Sequence, residues 1–208
     1  KVESLLNRHV DSVVVPGTGM EFSPSNTTEI LAVRQKYNLF NPYILFIGTL
    51  EPRKNLTTLL DAFKIIRENG FPHLNLVLVG QKGWKNKPLQ NQLDQNIDGI
   101  LELGYVPNED LAAIYSGSEA FVLPSFYEGY GMPAAEARAC GTRVVASDIP
   151  ELREAGGAES IYINPLSVDD LAQGILKALS SEKPIAKDGV SWKTGAESMI
   201  KIFKDLNI

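Results

Sequence analysis

"YILFIGTLEPRKNLTTLLDAF", residues 43–63, decides the fold. Tyr43 to Gly48 is an apolar run with no polar face, as a strand has when both sides of its sheet are covered. The loop "GTLEPRKN" (Gly48 to Asn55) comes next, and then Leu56, Leu59, Leu60, Phe63 and Ile65 or Ile66 recur at helical spacing until Gly70. Asn55 stands where a helix N-cap is expected. Strand, loop and helix together are the opening of a βαβ unit. The alternation continues, with further candidate strands at Leu74 to Gly80, Ile100 to Gly104, Ala120 to Pro124, Arg143 to Ser147 and Ser160 to Ile163. Helical patterns separate them, so the chain reads as α/β: a doubly wound, six-stranded parallel sheet of Rossmann-like type.

The later helices carry their own boundary signals. Asn108 is placed to cap "EDLAAIYSG", which Gly117 closes, and Pro133 opens "PAAEARACG" in the first turn, where proline is tolerated. Val168 to Ser180 and Ala196 to Leu206 read as two more. Upstream, "DSVVVPGTGMEF" (residues 11–22) reads as a strand running into a Gly/Pro-rich turn, and "TTEILAVRQKYN" as a short helix. The expected organisation is an amino-terminal appendage over 1–40, the sheet-bearing unit over 41–190 and a carboxy-terminal helix within 191–208.

Composition narrows the function. The 208 residues are 44% hydrophobic, enough to bury one large core, and the net charge of -5 with no dense Lys/Arg cluster argues against nucleic acid. An anionic ligand must therefore be held by local cations. The single cysteine, Cys140, excludes a disulfide framework, and His9 and His73 lack metal-ligand spacing, so no metal site is expected. No apolar stretch approaches the ~20 residues of a membrane span. The chain begins at Lys1 and not at Met, and is read as a piece excised from a longer protein.

In an open α/β sheet, ligands lie beyond the carboxyl ends of the strands where strand order reverses. With the common order 3-2-1-4-5-6, that point falls between the first and fourth strands and brings together "GTLEPRKN" and "SFYEGYGM" (Ser125 to Met132). The first loop offers Arg53 and Lys54 at a helix N-terminus; the second offers Gly129 and Gly131, whose bare backbone lets amides approach a ligand, before another helix N-terminus. Together they form an anion site of diphosphate size. Glu128 and Glu136, with seven residues between them, would be repelled by that anion and are expected to accept hydroxyls instead: Glu128 those of a sugar, Glu136 those of a ribose diol. Taken singly each feature has a plainer use, as a solvated loop pair, a tight turn, or an acid near a helix start. Their convergence on one crevice points to a nucleotide-diphospho-sugar.

These residues also resemble a known family. "GTLEPRKNLTTLLDAF", "VGQKGW" and "LGYVPNEDLAAIYSGSEAFVLPSFYEGYGMPAAEARACGTRVVAS" are similar, in order and spacing over roughly residues 40–180, to the carboxy-terminal donor-binding domain of family 4 retaining glycosyltransferases of the GT-B fold. The resemblance implies that Arg53 and Lys54, with Gly48 at the head of their loop, bind the donor diphosphate. It implies that Glu128 contacts the transferred sugar, and that the turn Gly129, Tyr130, Gly131, Met132 offers backbone amides. Glu136 would bind the ribose diol, and Val106 with Leu111 would border the base. It assigns no role to Lys82 and Trp84. The same resemblance implies that the substrate nucleotide-sugar is the only small molecule required. It also implies that a glycan or lipid-linked acceptor binds through an absent amino-terminal domain, of which residues 1–40 are the tail and linker. The protein would be cytoplasmic, with any attachment at the inner membrane carried by that absent domain. "LEPRKN" is similar to mannosyl- or rhamnosyl-transferring members, which points weakly to GDP-mannose.

Rival readings exist. Gly129-x-Gly131-x-x-Ala134 followed by Asp148 fits a dinucleotide fingerprint, and hence an NAD-dependent oxidoreductase, although that fingerprint belongs directly after a first strand. Paired carboxylates also occur in glycoside hydrolases, where an adjoining diphosphate clamp would be idle. A non-catalytic nucleotide-sugar-binding module and a GT-B epimerase share the site's chemistry.

Overall fold

The computed structural model describes residues 7, 9, 10, 12–83, 87–95, 97–186 and 191–205. Six strands, β1 (Tyr43–Ile47), β2 (Asn75–Val79), β3 (Ile100–Gly104), β4 (Ala120–Leu123), β5 (Val144–Ser147) and β6 (Ile161–Ile163), form one sheet in the order β3-β2-β1-β4-β5-β6. Every pairing is parallel, with Tyr43 beside Asn75 and Ile44 beside Ala120. The eight helices among the described residues are α1 (Thr27–Lys36), α2 (Leu56–Glu68), α3 (Lys87–Leu93), α4 (Asn108–Gly117), α5 (Met132–Ala139), α6 (Pro150–Gly156), α7 (Val168–Ser180) and α8 (Trp192–Asp205).

The burial of each strand reflects its place in the sheet. β2, β4 and β5 are buried along their whole length and β1 along all but its last residue, whereas the two edge strands, β3 and β6, are half exposed. Helices cover both faces. α2 packs on α7 and α3; α1 packs on α4, α4 on α5, and α5 on α6. A helix of α2's length is marginal in isolation, so burial of Leu59, Leu60, Phe63 and Ile66 against the sheet is what stabilises it.

Two readings need correction. Residues 12–17 form no strand; Thr18 makes an isolated bridge, to Ser191, Val13 is exposed, and the segment pairs with none of the six strands among the described residues. Gly17 instead abuts the start of α8, where an added Cβ would lie 2.2 Å from the Trp192 nitrogen. Asn108 does not cap α4 but is its first residue, after Pro107, whose ψ of 147° is the extended value a cap position requires. α3 and α6, of seven residues each, carry too little periodicity to read from sequence. Leu206 and Trp84 lie outside the described residues.

The switch of strand order between β1 and β4 makes neighbours of the loops that leave those two strands. Beyond its last residue the β1 chain continues alongside β2: the Gly48 amide donates to the Val79 carbonyl and the Leu50 amide to Gln81, at 2.9 Å each. This close approach depends on Gly80, whose φ is +139° and where a Cβ would sit 2.1 Å from the Gly48 oxygen. Gly80→Ala is therefore expected to cost about 2–3 kcal/mol. Urea unfolding of this chain measures it, and an unchanged midpoint would remove the constraint.

Candidate functional site

The β1 loop ends in a single 3-10 turn, Pro52–Lys54, after which Asn55 adopts a left-handed backbone (φ 57°, ψ 38°) and α2 begins. Proline sets the φ of the turn, and the turn presents two consecutive cations toward the β4 loop. The Phe126 amide donates to the Arg53 carbonyl at 2.8 Å, which ties the two loops together.

Glu128 occupies the junction. The Lys54 ammonium donates to its Oε1 at 2.6 Å and the Arg53 guanidinium to its Oε2 at 2.8 Å, while the Ser125 hydroxyl donates to Oε1 at 2.7 Å. Glu51 takes the other side of Arg53, with Oε1 2.6 Å from Nε, and the Tyr127 ring lies 5.7 Å from the guanidinium carbon. Only 7% of the Lys54 side chain and 6% of the Glu128 side chain are exposed, against 30% for Arg53. Burial pushes the Glu128 carboxyl up, but hydrogen bonds from Lys54 and Ser125 and the charge of Lys54 outweigh it, and the group is held below the ordinary glutamate value.

One part of the expectation changes. An acid beside an anion site repels the anion, so the sequence alone sets Glu128 apart from the cations. In the structure it is the counter-ion of both, since cations drawn this far out of water require an opposing charge.

Two helix N-termini flank the junction. At α1 and α7 the Asn26 and Ser167 side chains accept from backbone amides, as capped helices do. At α2 and α5 the cap residues, Asn55 and Gly131, are left-handed and make no such bond, and neither do Pro107 and Ile149 at α4 and α6. In α5, Pro133 carries no N–H and the Ala134 amide donates to the Gly131 carbonyl at 2.9 Å, so its first turn offers a ligand the Met132 amide alone. Gly131 has φ +101°, and a Cβ there would strike Leu152 at 2.4 Å.

Glu136, on α5, has a different partner. The Tyr115 hydroxyl of α4 donates to its Oε2 at 2.9 Å. Burial raises the Glu136 carboxyl above its ordinary value, the Tyr115 hydrogen bond lowers it, and the charge of Glu21 raises it again. Among the described residues its Oε1 accepts no hydrogen bond.

The other expected residues surround these groups. Gly48 lines the cation site, a Cβ there falling 3.5 Å from the Lys54 side chain. Gly129 is exposed with open space above it, Tyr130 is half buried, and Met132 starts α5. Val106 and Leu111 are buried in the core, so this segment offers a ligand chiefly its backbone. Lys82 bridges to Leu50 through the backbone. Glu51, Ser125 and Tyr115 were given no role in the sequence reading; a hydroxyl two residues after β4, at the carboxyl edge of the sheet, is the signal that could have found Ser125. Asp148, the acid a dinucleotide site would need, is engaged by Arg153 at 2.5 and 2.8 Å.

The sequence profile of the family "Glycosyl transferases group 1" matches residues 30–199. O-antigen chain mannosyltransferase B of Escherichia coli is 37% identical over 183 residues, covering 86% of this chain and 48% of that protein. Among solved structures, sucrose-phosphate synthase from Thermosynechococcus elongatus superposes with a TM-score of 0.79 at 25% identity, over 99% of this chain and 56% of its own. HepE of Anabaena, solved in complex with UDP and glucose, gives 0.80 at 19% identity over 93% and 56% of the two chains, a likeness of fold. The chain thus spans about half the length of these relatives.

Lys54→Ala leaves Glu128 buried with half its counter-charge and is expected to cost about 3 kcal/mol of stability at pH 7. Because the folded-state value of Glu128 lies below its ordinary 4.5, the stabilising contribution is complete above that pH and is lost as pH falls through the lowered value. The deficit of the variant must therefore shrink in urea titrations run below pH 4.5; a deficit constant with pH would show that Lys54 does not act through Glu128.

Proposed function

The chain belongs to the group 1 glycosyl transferases, and from that membership we propose that it is the carboxy-terminal, donor-binding half of a retaining enzyme that transfers a sugar from a nucleotide-diphospho-sugar to an acceptor hydroxyl. One observation carries the reading: Arg53 and Lys54 from the loop after β1 meet Glu128 from the loop after β4 at 2.8 and 2.6 Å, at the switch point of the sheet and between two uncapped helix N-termini. The similarity to O-antigen chain mannosyltransferase B supports mannose as the sugar, GDP-mannose as the donor, and surface polysaccharide synthesis as the setting. The remainder of the longer protein would hold the acceptor. No described helix is long and apolar enough to cross a membrane.

On this reading the site is a closed circuit, with Arg53 and Lys54 balanced by Glu51 and Glu128. The donor diphosphate takes the cations over, each charge-assisted hydrogen bond contributing about 1.5–3 kcal/mol. Glu128 is then released to accept hydroxyls of the transferred sugar. The amides of Gly129 to Met132 add donors, Glu136 accepts the ribose diol, and the backbone around Val106 and Leu111 borders the base. As the bond from the anomeric carbon to the phosphate oxygen breaks, charge grows on the diphosphate, and the cations and open amides stabilise it. The bond to the acceptor oxygen forms on the same face, and the acceptor proton passes to the departing phosphate oxygen.

Three measurements test this. A thermal-shift panel of GDP, UDP, ADP, dTDP and NAD is expected to show stabilisation by a nucleoside diphosphate and none by NAD; NAD alone raising the midpoint would reverse the reading. In the same assay Glu136→Ala weakens the stabilising nucleotide and spares its 2',3'-dideoxy analogue, whereas equal losses would deny Glu136 the diol. Glu128→Gln, which removes the competing charge, is expected to tighten GDP binding about fivefold, roughly 1 kcal/mol, in calorimetric titration while lowering turnover of the full-length enzyme. Weaker GDP binding in that variant would contradict the exchange of partners.

A further inference from the structure

Asn55 is 2% exposed, and the residue that sequence marks as a helix cap does something else. Its side chain makes no bond to an amide of α2. Nδ2 donates instead to the Pro124 carbonyl at the end of β4, at 3.1 Å, and to the Pro165 carbonyl in the loop after β6, at 2.7 Å. Oδ1 accepts from the Thr58 hydroxyl at 2.7 Å. Resting on the donor-site reading, we propose that Asn55 is a positioning residue: its amide joins the loops after β1, β4 and β6 into one rim, and so holds the Arg53–Lys54 cations in register with Ser125 and Glu128.

The chemistry of the position selects this side chain. Three requirements coincide: a left-handed backbone, two N–H donors aimed at two carbonyls, and one acceptor for a hydroxyl. Glycine satisfies the first alone. Aspartate tolerates the backbone but would set an anionic oxygen against the carbonyls of Pro124 and Pro165. Asparagine satisfies all three. The attachment points also explain the coupling to the site. Asn55 directly follows Lys54, and Pro124 directly precedes Ser125, whose hydroxyl holds Glu128. The bond between them therefore spans the switch point one residue away from the ionic junction on each side.

The test titrates pyrophosphate and GDP into this chain as wild type, Asn55→Gly, Asn55→Asp, Arg53→Ala and the double variant Asn55→Gly/Arg53→Ala, with the midpoint of each unliganded protein recorded beside it. Asn55→Gly keeps the left-handed turn, so it decides the matter if Asn55→Asp does not fold. Both Asn55 variants are expected to bind either anion at least tenfold more weakly, and the double variant by clearly less than the product of the two single losses, because with Arg53 gone Lys54 alone remains to be positioned. A role confined to stability would lower the unliganded midpoint and leave affinity unchanged, and a role independent of the cations would make the two losses multiply; either result overturns the proposal. A folded wild type that binds neither anion overturns the donor-site reading, and the role of Asn55 with it, whereas weakened binding in Arg53→Ala with unaltered Asn55→Gly overturns the role of Asn55 alone.

Discussion

The ionic junction at Glu128 is the constraint on which the rest of this site depends. A carboxylate this deeply buried is stable only with its charge matched and its lone pairs filled, and here an ammonium, a guanidinium and a hydroxyl do both. The partners lie more than 70 residues apart in the chain, since Arg53 and Lys54 leave β1 while Glu128 comes after β4. They meet because the sheet places β4 beside β1. A change in strand order would leave Glu128 and Lys54 unpaired and Arg53 with Glu51 alone.

The same junction gives the protein a definite resting state. The cations are not waiting in solvent; they are held by acids, and on the proposed reading a donor diphosphate would have to offer a better counter-charge than Glu128 does. On the proposed reading the positive ends of α2 and α5, which carry no side-chain caps, would bias that exchange toward the anion. Glu136, half a helix away and braced by Tyr115, is tuned differently, by burial and not by pairing. Two glutamates of one motif are thus set to opposite sides of their ordinary acidity by their surroundings.

Much of this was legible in the residue order. Mainly apolar runs such as "LNLVLVG" located all six strands to within one residue at either end, most directly the central ones, which are covered on both faces and have no polar side to obscure the pattern. Val168–Ser180 was equally plain, and Ser167 proves to be its cap. The reading failed where local propensity had no pairing to act on: "DSVVVP" has strand-forming valines, but residues 12–16 pair with no strand among the described residues. Asn55 was placed correctly and given the wrong task, since a cap and a cross-loop staple share one side-chain chemistry and differ only in which groups stand within reach.

By itself the sequence determined the α/β class, the strands and the residues that carry charge and flexible backbone at the two decisive loops, because those properties arise from local periodicity and side-chain type. Only the tertiary structure decided who pairs with whom. That Glu128 neutralises Lys54 and Arg53, that Tyr115 braces Glu136, and that Asn55 reaches Pro124 and Pro165 are contacts between distant segments. Hydrogen bonds and ion pairs act over about 3 Å, and which atoms come that close is set by the packing of helices on both faces of a sheet whose order reverses at β1.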